Sequence, residues 1–193
     1  MPQRSDAQAN RERILDIAED VFGHGGKSAS TEEVARLAGV GIATVFRNFP
    51  TKAALLEAVL VRHFNRLQAE AEARLGEQDP GAAFFGFFRH LVAGAATKIA
   101  LVEALLEAGG FGDSEAAEAS HALRRAVGGL LQRAQQAGAV RNDVELPEVY
   151  ALLVGTSRAA AQAPLDDEVR SRMLAIVFAG LAATGRTKAA DFS

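Results

Sequence analysis

Apolar residues recur along this chain at the three- and four-residue spacing of amphipathic helices, and no stretch of useful length alternates with the two-residue period of a strand. The first stripe lies within residues 10–23, before a glycine-rich break. Further stripes follow, each separated from the next by glycine, proline or a capping residue. The pattern predicts an all-α protein of about nine helices. The stripe within 10–23 consists of Ile14, Ile17, Ala18, Val21 and Phe22.

Residues 30–52 read as two short helices joined by a tight turn. Ser30 is placed to cap the first helix, and Glu33, three residues later, to reach back to the backbone N–H of the cap. Gly39 follows as the residue best able to adopt a positive φ where that helix ends. The second helix, 42–48, turns Val45 inward. This arrangement predicts a helix-turn-helix, with the stripe of the first helix packing against Val34, Leu37, Val45 and Phe49.

The outer face of the second short helix carries Thr44, Arg47 and Asn48. A short exposed helix with a hydroxyl, a guanidinium and an amide has the groups needed to lie in the major groove of DNA. The preceding residues Gly41, Ile42 and Ala43 have no side-chain hydrogen-bonding group. Base reading there must rest on close approach and on apolar contact with thymine methyl groups.

The stretch from Arg11 to Val59 resembles the DNA-binding domain of the TetR family of transcriptional regulators. The resemblance rests on Val-Phe-Gly at 21–23, Thr31, Ala-Gly-Val at 38–40 and Thr-Val-Phe-Arg-Asn-Phe-Pro-Thr-Lys at 44–52. It implies that the recognition helix lies near 41–48 and that Lys52 binds a phosphate. Phe46 and Asn48 stand where the family commonly has tyrosine and histidine, so the phosphate bond of a tyrosine hydroxyl is lost. The predicted DNA contacts are Thr31, Gly41, Ile42, Ala43, Thr44, Phe46, Arg47, Asn48 and Lys52.

The domain division follows from the same pattern. Residues 1–51 are predicted to form the DNA-binding domain, with 1–10 as a polar, flexible arm. Residues 52–193 are predicted to form a helical domain for effector binding and dimerisation, and 52–75 to form a linker helix that begins at a Thr51 cap. Asp79 and Pro80 have the residue types that open the next helix.

Four phenylalanines on that next helix, Phe84, Phe85, Phe87 and Phe88, form the phenylalanine cluster. Phenylalanines at helical spacing usually form plain core, but the TetR resemblance implies an effector pocket after the DNA-binding domain, and this cluster is its most apolar site. Arg89, His90 and Lys98 are predicted near the rim of the pocket. The predicted effector-binding residues are Phe84, Phe87, Phe88, Leu91, Val102, Leu106, Leu123 and Val127.

The last two helices are predicted to form a homodimer interface. The helix at 169–184 is apolar on almost every side, so it must be buried on more than one side. With the helix at 147–161 it is the natural dimer surface, by hydrophobicity and by the family resemblance. The predicted dimer residues are Leu152, Gly155, Ala159, Leu174, Val177, Phe178 and Leu181.

The sequence argues against an enzyme. There is no cysteine, and the four histidines lack metal-ligand spacing. Glu118 and His121 form only one copy of a motif that a carboxylate-bundle iron site needs twice. Glu103 and Glu107 lie opposite the apolar stripe of Ile99, Val102 and Leu106, which favours a solvated face over a catalytic pair. We therefore expect no metal and no cofactor, and we treat a helical-bundle enzyme as improbable.

Net charge and hydropathy indicate how the protein is expected to bind DNA and where in the cell it is expected to lie. The net charge is −3, and residues 1–66 hold 9 Lys and Arg against 8 Asp and Glu, so DNA binding depends on placed cations rather than a broad basic field. The charge-free run at 173–185 is too short to cross a bilayer, and the start does not resemble a signal peptide, so we expect a soluble, cytoplasmic protein.

Together these patterns predict a sequence-specific, homodimeric regulator of transcription. It is expected to bind a double-stranded, palindromic operator, most often as a repressor, and to be released by a small apolar effector. The alternative is a DNA-binding regulator that is controlled by a protein partner or has no effector.

Overall fold

The computed structural model describes residues 2–25, 29–110, 114–162 and 166–183, and side chains from Ala7 onward. Within these ranges the only extended pairing is a single bridge between Val140 and Ala182. The predicted all-α class is confirmed. The helices of the described residues are α1 Pro2–His24, α2 Thr31–Leu37, α3 Ile42–Asn48, α4 Lys52–Arg74, α5 Pro80–Ala93, α6 Ala95–Glu107, α7 Glu115–Gln136, α8 Leu146–Gln162 and α9 Asp167–Leu181.

Two compact units divide the chain. The first comprises Met1–Ala69 and Gly94–Arg124, and the second comprises Glu70–Ala93 and Arg125–Ser193. The first unit is therefore wider than the predicted domain 1–51, because most of α4, all of α6 and the first part of α7 belong to it. Among the described helices none alone is long and apolar enough to cross a membrane, and α5 and α6 meet that length and composition only as a bent pair.

Side-chain caps open α2, α4 and α5 at Ser30, Thr51 and Asp79, as predicted. The Ser30 hydroxyl accepts from the backbone N–H of Glu33 at 3.2 Å, and the Thr51 hydroxyl accepts from Ala54 at 3.0 Å. The carboxylates of Asp79 and Asp166 cap α5 and α9 in the same way. The reciprocal bond predicted from Glu33 is wrong, because its carboxylate accepts instead from Arg36, one turn further along α2.

The core of the first unit joins α1, α2, α3 and α4. Leu37 was predicted to belong to this core, but its side chain is 48% exposed. Successive residues of a helix are 100° apart, and the inward direction of α2 is set by Val34, Ala35 and Ala38, so Leu37 points to the side. The fully buried members of the core are Ile14, Ala18, Val34, Val45, Leu55, Leu56, Val59 and Leu60.

The first helix begins earlier than predicted. Residues 2–10 were predicted to form a flexible arm, whereas α1 begins at Pro2. Proline suits the first position of a helix, and the following alanine, glutamine and arginine residues are good helix formers without any apolar stripe. Ala7, Gln8 and Ala9 are exposed, so this part of α1 is helical without packing against the core.

The inward face of α6 also differs from the prediction. Ile99, Val102 and Leu106 were expected to form its apolar stripe, but the structure buries Ala95, Leu101 and Leu105 and leaves Leu106 54% exposed. α6 is apolar on most of its circumference, so hydropathy alone does not select one side. Its packing against α1 makes the selection: a Cβ on Gly23 would lie 2.6 Å from the Thr97 methyl group.

The second unit is built on the phenylalanine cluster. α5 packs against α8, and α8 packs against α9. Phe178 of α9 lies with its ring centroid 4.8 Å from Phe85 and 5.5 Å from Phe88. The end of α9 is held by a backbone bond from Arg141 N–H to Leu181 C=O at 3.0 Å. This unit is therefore held together mainly by apolar side chains.

Candidate nucleic-acid interface

The turn between α2 and α3 is set by Gly39. Its φ is 66°, in the left-handed region that glycine adopts without strain. Gly39 N–H bonds to Arg36 C=O at 3.3 Å, and Val40 N–H bonds to Ala35 C=O at 3.1 Å, so the end of α2 is satisfied within the turn. α3 then begins at Ile42, as predicted, and the three-helix arrangement of a helix-turn-helix is complete.

α3 presents most of its side chains to solvent. Val45 is fully buried and fixes the helix on the core of the first unit, while Arg47 is exposed. Two large apolar side chains also face out: Ile42 is 38% exposed and Phe46 is 43% exposed. The remaining exposed residues around the start of α3 are Gly41 and Ala43.

The polar residues predicted to read bases are not equally accessible. Arg47 is exposed, whereas Thr44 and Asn48 are half-buried. The Asn48 side-chain N–H₂ donates to Thr44 C=O at 2.8 Å, so one of its donors is used within α3. Of the three polar residues predicted to contact bases, Arg47 is therefore the most accessible to DNA.

Thr31 and Lys52 were both predicted to contact DNA, and Lys52 was predicted to do so through a phosphate. Thr31 is buried, with 6% of its surface exposed, so its side chain offers little surface to DNA and that assignment is corrected. Lys52, at the first position of α4, is half-buried, and its Nζ lies 5.0 Å from the centroid of the Phe22 ring. This cation–π contact orients the lysine stem while the ammonium keeps its charge.

Arg11 makes a second contact of this kind. Its guanidinium carbon lies 4.9 Å from the centroid of the Phe49 ring, directly after α3. Sequence reasoning did not single out this pair. The result is a second oriented cation whose aromatic partner is part of the helix-turn-helix core.

A partly buried ionic junction ties α1 to α4, and the sequence analysis missed it. It consists of Glu19 on α1 with Arg62, His63 and Arg66 on α4. Glu19 Oε1 lies 2.9 Å from His63 Nδ1 and 2.7 Å from Arg66 Nη2, and Glu19 Oε2 lies 3.2 Å from Arg62 Nη2. The exposed fractions of the Glu19 and His63 side chains are 13% and 8%. A carboxylate only accepts, so the His63 Nδ1–H donates to it.

The junction keeps Glu19 ionised. The hydrogen bond from His63, followed by the bond and charge of Arg66, outweighs burial and holds the pKa of Glu19 far below its ordinary value. Because the junction combines directional bonds from two turns of α4, it fixes how α1 lies on α4. The only sequence signal was the spacing of Arg62 and Arg66, which places both on one face of α4.

In the second unit, the phenylalanine cluster leaves a cavity of about 10 Å³, about the space of one water molecule. Of the predicted effector-binding residues, Phe84, Phe87, Phe88, Leu91 and Val127 line it. Leu130 and Leu153 line it too, and the sequence analysis had not included them. Val102, Leu106 and Leu123 are not among the lining residues, and all three belong to the first unit.

The residues predicted at the rim of the pocket have partners of their own. The Arg89 guanidinium lies 5.4 Å from the centroid of the Phe178 ring, and His90 Nε2 lies 3.0 Å from Glu70 Oε2. Lys98 lies on α6, in the first unit.

The predicted dimer residues fall into three groups by exposure. Leu152, Gly155 and Ala159 of α8 are exposed, as an interface requires. Leu174 and Leu181 of α9 are 3% and 2% exposed and pack inside the protomer, so their assignment to the dimer is corrected. Val177 and Phe178 are half-buried. Ile176, at 74% exposure, is the large apolar residue that α9 presents to solvent.

Comparisons with known proteins agree with this architecture. Residues 14–59 match the family model described as bacterial regulatory proteins, tetR family. Residues 79–183 match the model described as transcriptional regulator SbtR-like, C-terminal domain.

Relatives extend the match to most of the chain. A TetR transcription regulatory protein from Mycobacterium vanbaalenii is 38% identical, with a TM-score of 0.76 over 94% of this chain and 99% of that one. The TetR transcriptional regulator SCO0520 from Streptomyces coelicolor is 30% identical, with a TM-score of 0.74 over 91% of this chain and 99% of that one. The HTH-type transcriptional regulator SAR0097 from Staphylococcus aureus (strain MRSA252) is 33% identical over 78 residues, which are 39% of this chain and 40% of that regulator.

The fold and the exposed third helix define a DNA-binding protein of the helix-turn-helix class. Because one family model spans more than half of the chain and similar regulators align over nearly all of it, the chain belongs to the TetR family of transcriptional regulators. The family is non-enzymatic, and its members bind DNA operators and typically form dimers.

Proposed function

We propose that the protein is a sequence-specific repressor that binds a palindromic operator in the cytoplasm as a homodimer. The observation that carries this proposal is α3, a short helix anchored by buried Val45 that holds Arg47 out to solvent. Arg47 reads a base, Thr44 adds a weaker polar contact, and Lys52 binds a phosphate. Residues 1–51, which contain these elements, are the proposed DNA-binding domain.

Dimerisation through α8 and α9 gives the two recognition helices that a palindrome requires. Leu152, Val154 and Ile176 are 38%, 45% and 74% exposed, although each is a large apolar side chain. A Cβ at Gly155 or Gly180 would lie within 4 Å of nothing beyond its chain neighbours and the backbone of its own helix, so a neighbouring helix can approach both closely. An exposed apolar face with small residues between the large ones is suited to pack against a copy of itself.

We further propose that a mainly apolar effector enters the cavity of the phenylalanine cluster and weakens operator binding. Ser157, one turn beyond the lining residue Leu153 on α8, has a buried hydroxyl without a hydrogen-bond partner among the described residues. It would pair with one polar group on the ligand. The cavity of about 10 Å³ means that side chains must move to admit a ligand.

The close packing of the same cavity favours the second candidate, a regulator that has no small effector or answers to a protein partner. The two candidates predict different responses to ligands. Purified protein is screened against apolar compounds by thermal shift, and each hit is titrated into the protein–operator complex. For effector control, hits must raise the melting temperature and weaken operator binding together. Hits that leave operator affinity unchanged support the second candidate.

Operator binding itself is tested by selection from a randomised DNA pool with purified protein, followed by sequencing. The expected result is an enriched palindrome whose half-sites are separated by about one helical turn, about 34 Å. Light scattering at micromolar concentration should report a dimer. No enriched sequence, or a monomer that binds without a palindrome, would contradict the proposal.

A further inference from the structure

The outer face of α3 has two chemically different edges. At 100° per residue, Ala43 and Arg47 lie near its centre, opposite the buried Val45. Thr44 and Asn48 lie on one side of this centre. Ile42 and Phe46, which are four residues apart and therefore adjacent on the helix surface, lie on the other side.

The pair of Ile42 and Phe46, here called the apolar edge of α3, is exposed although both side chains are large and apolar. Val45 and Phe49 already hold α3 on the core, with 0% and 3% exposure. Ile42 and Phe46 are 38% and 43% exposed. Single exposed apolar residues are ordinary on protein surfaces, but two adjacent ones on a seven-residue recognition helix form a continuous apolar strip.

Apart from Arg47 at the centre of the face, the residues next to the apolar edge offer no side-chain group that could hydrogen-bond to a base. Gly41 and Ala43 have no side-chain donor or acceptor, and Phe46 has a ring without a hydroxyl. The half-buried Thr44 and Asn48 lie on the other side of the helix, and Asn48 already uses one donor on Thr44 C=O. On this edge α3 therefore offers DNA apolar contact and almost nothing else.

In the major groove of unmodified DNA, the apolar feature of a base edge is the 5-methyl group of thymine. We propose that Ile42 and Phe46 together read thymine methyl groups, so that each operator half-site contains thymine beside the base that Arg47 reads. This assigns Phe46 to base reading rather than to the phosphate backbone. The inference rests on the proposed operator binding and deepens it, since it names the base chemistry that the same helix recognises.

The test removes the methyl group alone. Each thymine of the selected operator is replaced in turn by deoxyuridine, which keeps the pairing and the O4 acceptor, and affinity is measured by fluorescence anisotropy. Burial of one methyl group at about 0.8 kcal/mol corresponds to about a fourfold change in affinity. The inference predicts at least one thymine per half-site where wild type loses about fourfold, and about fifteenfold when both half-sites are changed.

Variants of the apolar edge complete the test. Ile42→Ala and Phe46→Ala should bind more weakly, and at the sensitive thymine at least one of them should bind thymine and uracil about equally. Leu106→Ala, which truncates an exposed apolar side chain on α6, is the matched control and should discriminate as wild type does. Ile42→Val, which removes one methyl group, supplies a milder variant if Ile42→Ala does not fold.

Failure of this inference can be distinguished from failure of operator binding. A wild-type protein that selects no sequence contradicts the proposed function. A protein that selects an operator but never distinguishes thymine from uracil overturns the methyl-reading inference alone. The inference is also overturned if both alanine variants keep the full wild-type discrimination at every thymine.

Discussion

The ionic junction of the first unit and the phenylalanine cluster of the second both hold helices together, but by different physical means. In the junction, Glu19 receives directional bonds from three cationic or imidazole groups on α4. In the cluster, Phe85 and Phe88 meet Phe178 through ring contacts alone. Directional bonds fix one geometry, whereas apolar contacts allow several packings of similar energy. The difference suits a first unit that holds the DNA-binding helix-turn-helix and, under the proposed effector control, a second unit that repacks around a ligand.

The largest expected effect is in the cluster. Phe88 is 3% exposed, so Phe88→Ala should lower the free energy of unfolding by about 3–5 kcal/mol, through lost burial and a new cavity. Phe88→Leu keeps most of the apolar volume and should cost about 1–2 kcal/mol. Urea denaturation followed by circular dichroism measures both. Equal losses for the two variants would show that the cluster requires one exact shape and does not tolerate repacking.

Unlike the phenylalanine cluster, the ionic junction should not tolerate a conservative substitution. Glu19→Gln keeps the shape but removes the charge beside two arginines, so we expect a loss of about 3 kcal/mol. Glu12→Ala is the matched control, since Glu12 is 47% exposed and its carboxylate is 3.7 Å from Arg62, and it should cost less than about 1 kcal/mol. If Glu19→Gln is as stable as wild type in the same urea titration, the junction does not fix α1 on α4.

Acid should reduce the stability that the ionic junction contributes to the folded protein. The pKa of Glu19 is lower in the folded protein than its ordinary value of 4.5, so the unfolded chain binds the proton more readily. The stabilisation is therefore complete above about pH 4.5 and declines as pH falls further toward the folded pKa. The stability difference between wild type and Glu19→Gln should narrow as the pH falls below about 4.5. If the stability difference grew below about pH 4.5, the lowered pKa of Glu19 in the folded protein would be contradicted.

A smaller loss of stability is expected from a substitution at Gly39, in the turn between α2 and α3. Gly39 has φ 66°, so Gly39→Ala should destabilise the first unit by about 1 kcal/mol through backbone strain. Gly41 has φ −68° and open space around it, so Gly41→Ala should change stability by less than about 0.5 kcal/mol. Thermal unfolding of the two variants compares them directly. Equal melting temperatures would show that the positive φ of Gly39 does not help to position α3.

Local signals in the sequence predicted much of this fold. The bounds of α3, the turn at Gly39 and the caps at Ser30, Thr51 and Asp79 depend on residues within a few positions of one another. These features were confirmed because their energetics are local. The start of α1 was missed, since helix propensity without an apolar stripe gives a periodicity search nothing to detect.

Features that depend on distant partners were not predictable in the same way. Glu19 and His63 are 44 residues apart, and neither position differs in type from an ordinary surface residue. The buried side of α6 and the outward side of α9, which presents Ile176 rather than Leu174 or Leu181, depend on which helix packs against them. Where a helix is apolar on most sides, its partner rather than its own sequence selects the face.

The central claim is that α3 reads DNA sequence while Lys52 only grips the backbone, and one binding experiment tests it most directly. Wild type, Arg47→Ala and Lys52→Ala are titrated with the selected operator and with random duplex DNA at several salt concentrations. Arg47→Ala should lose about 1–3 kcal/mol on the operator and much less on random DNA. Lys52→Ala should weaken both equally and lower the salt slope by about one. If Arg47→Ala lost as much affinity for random DNA as for the operator, the account would be contradicted.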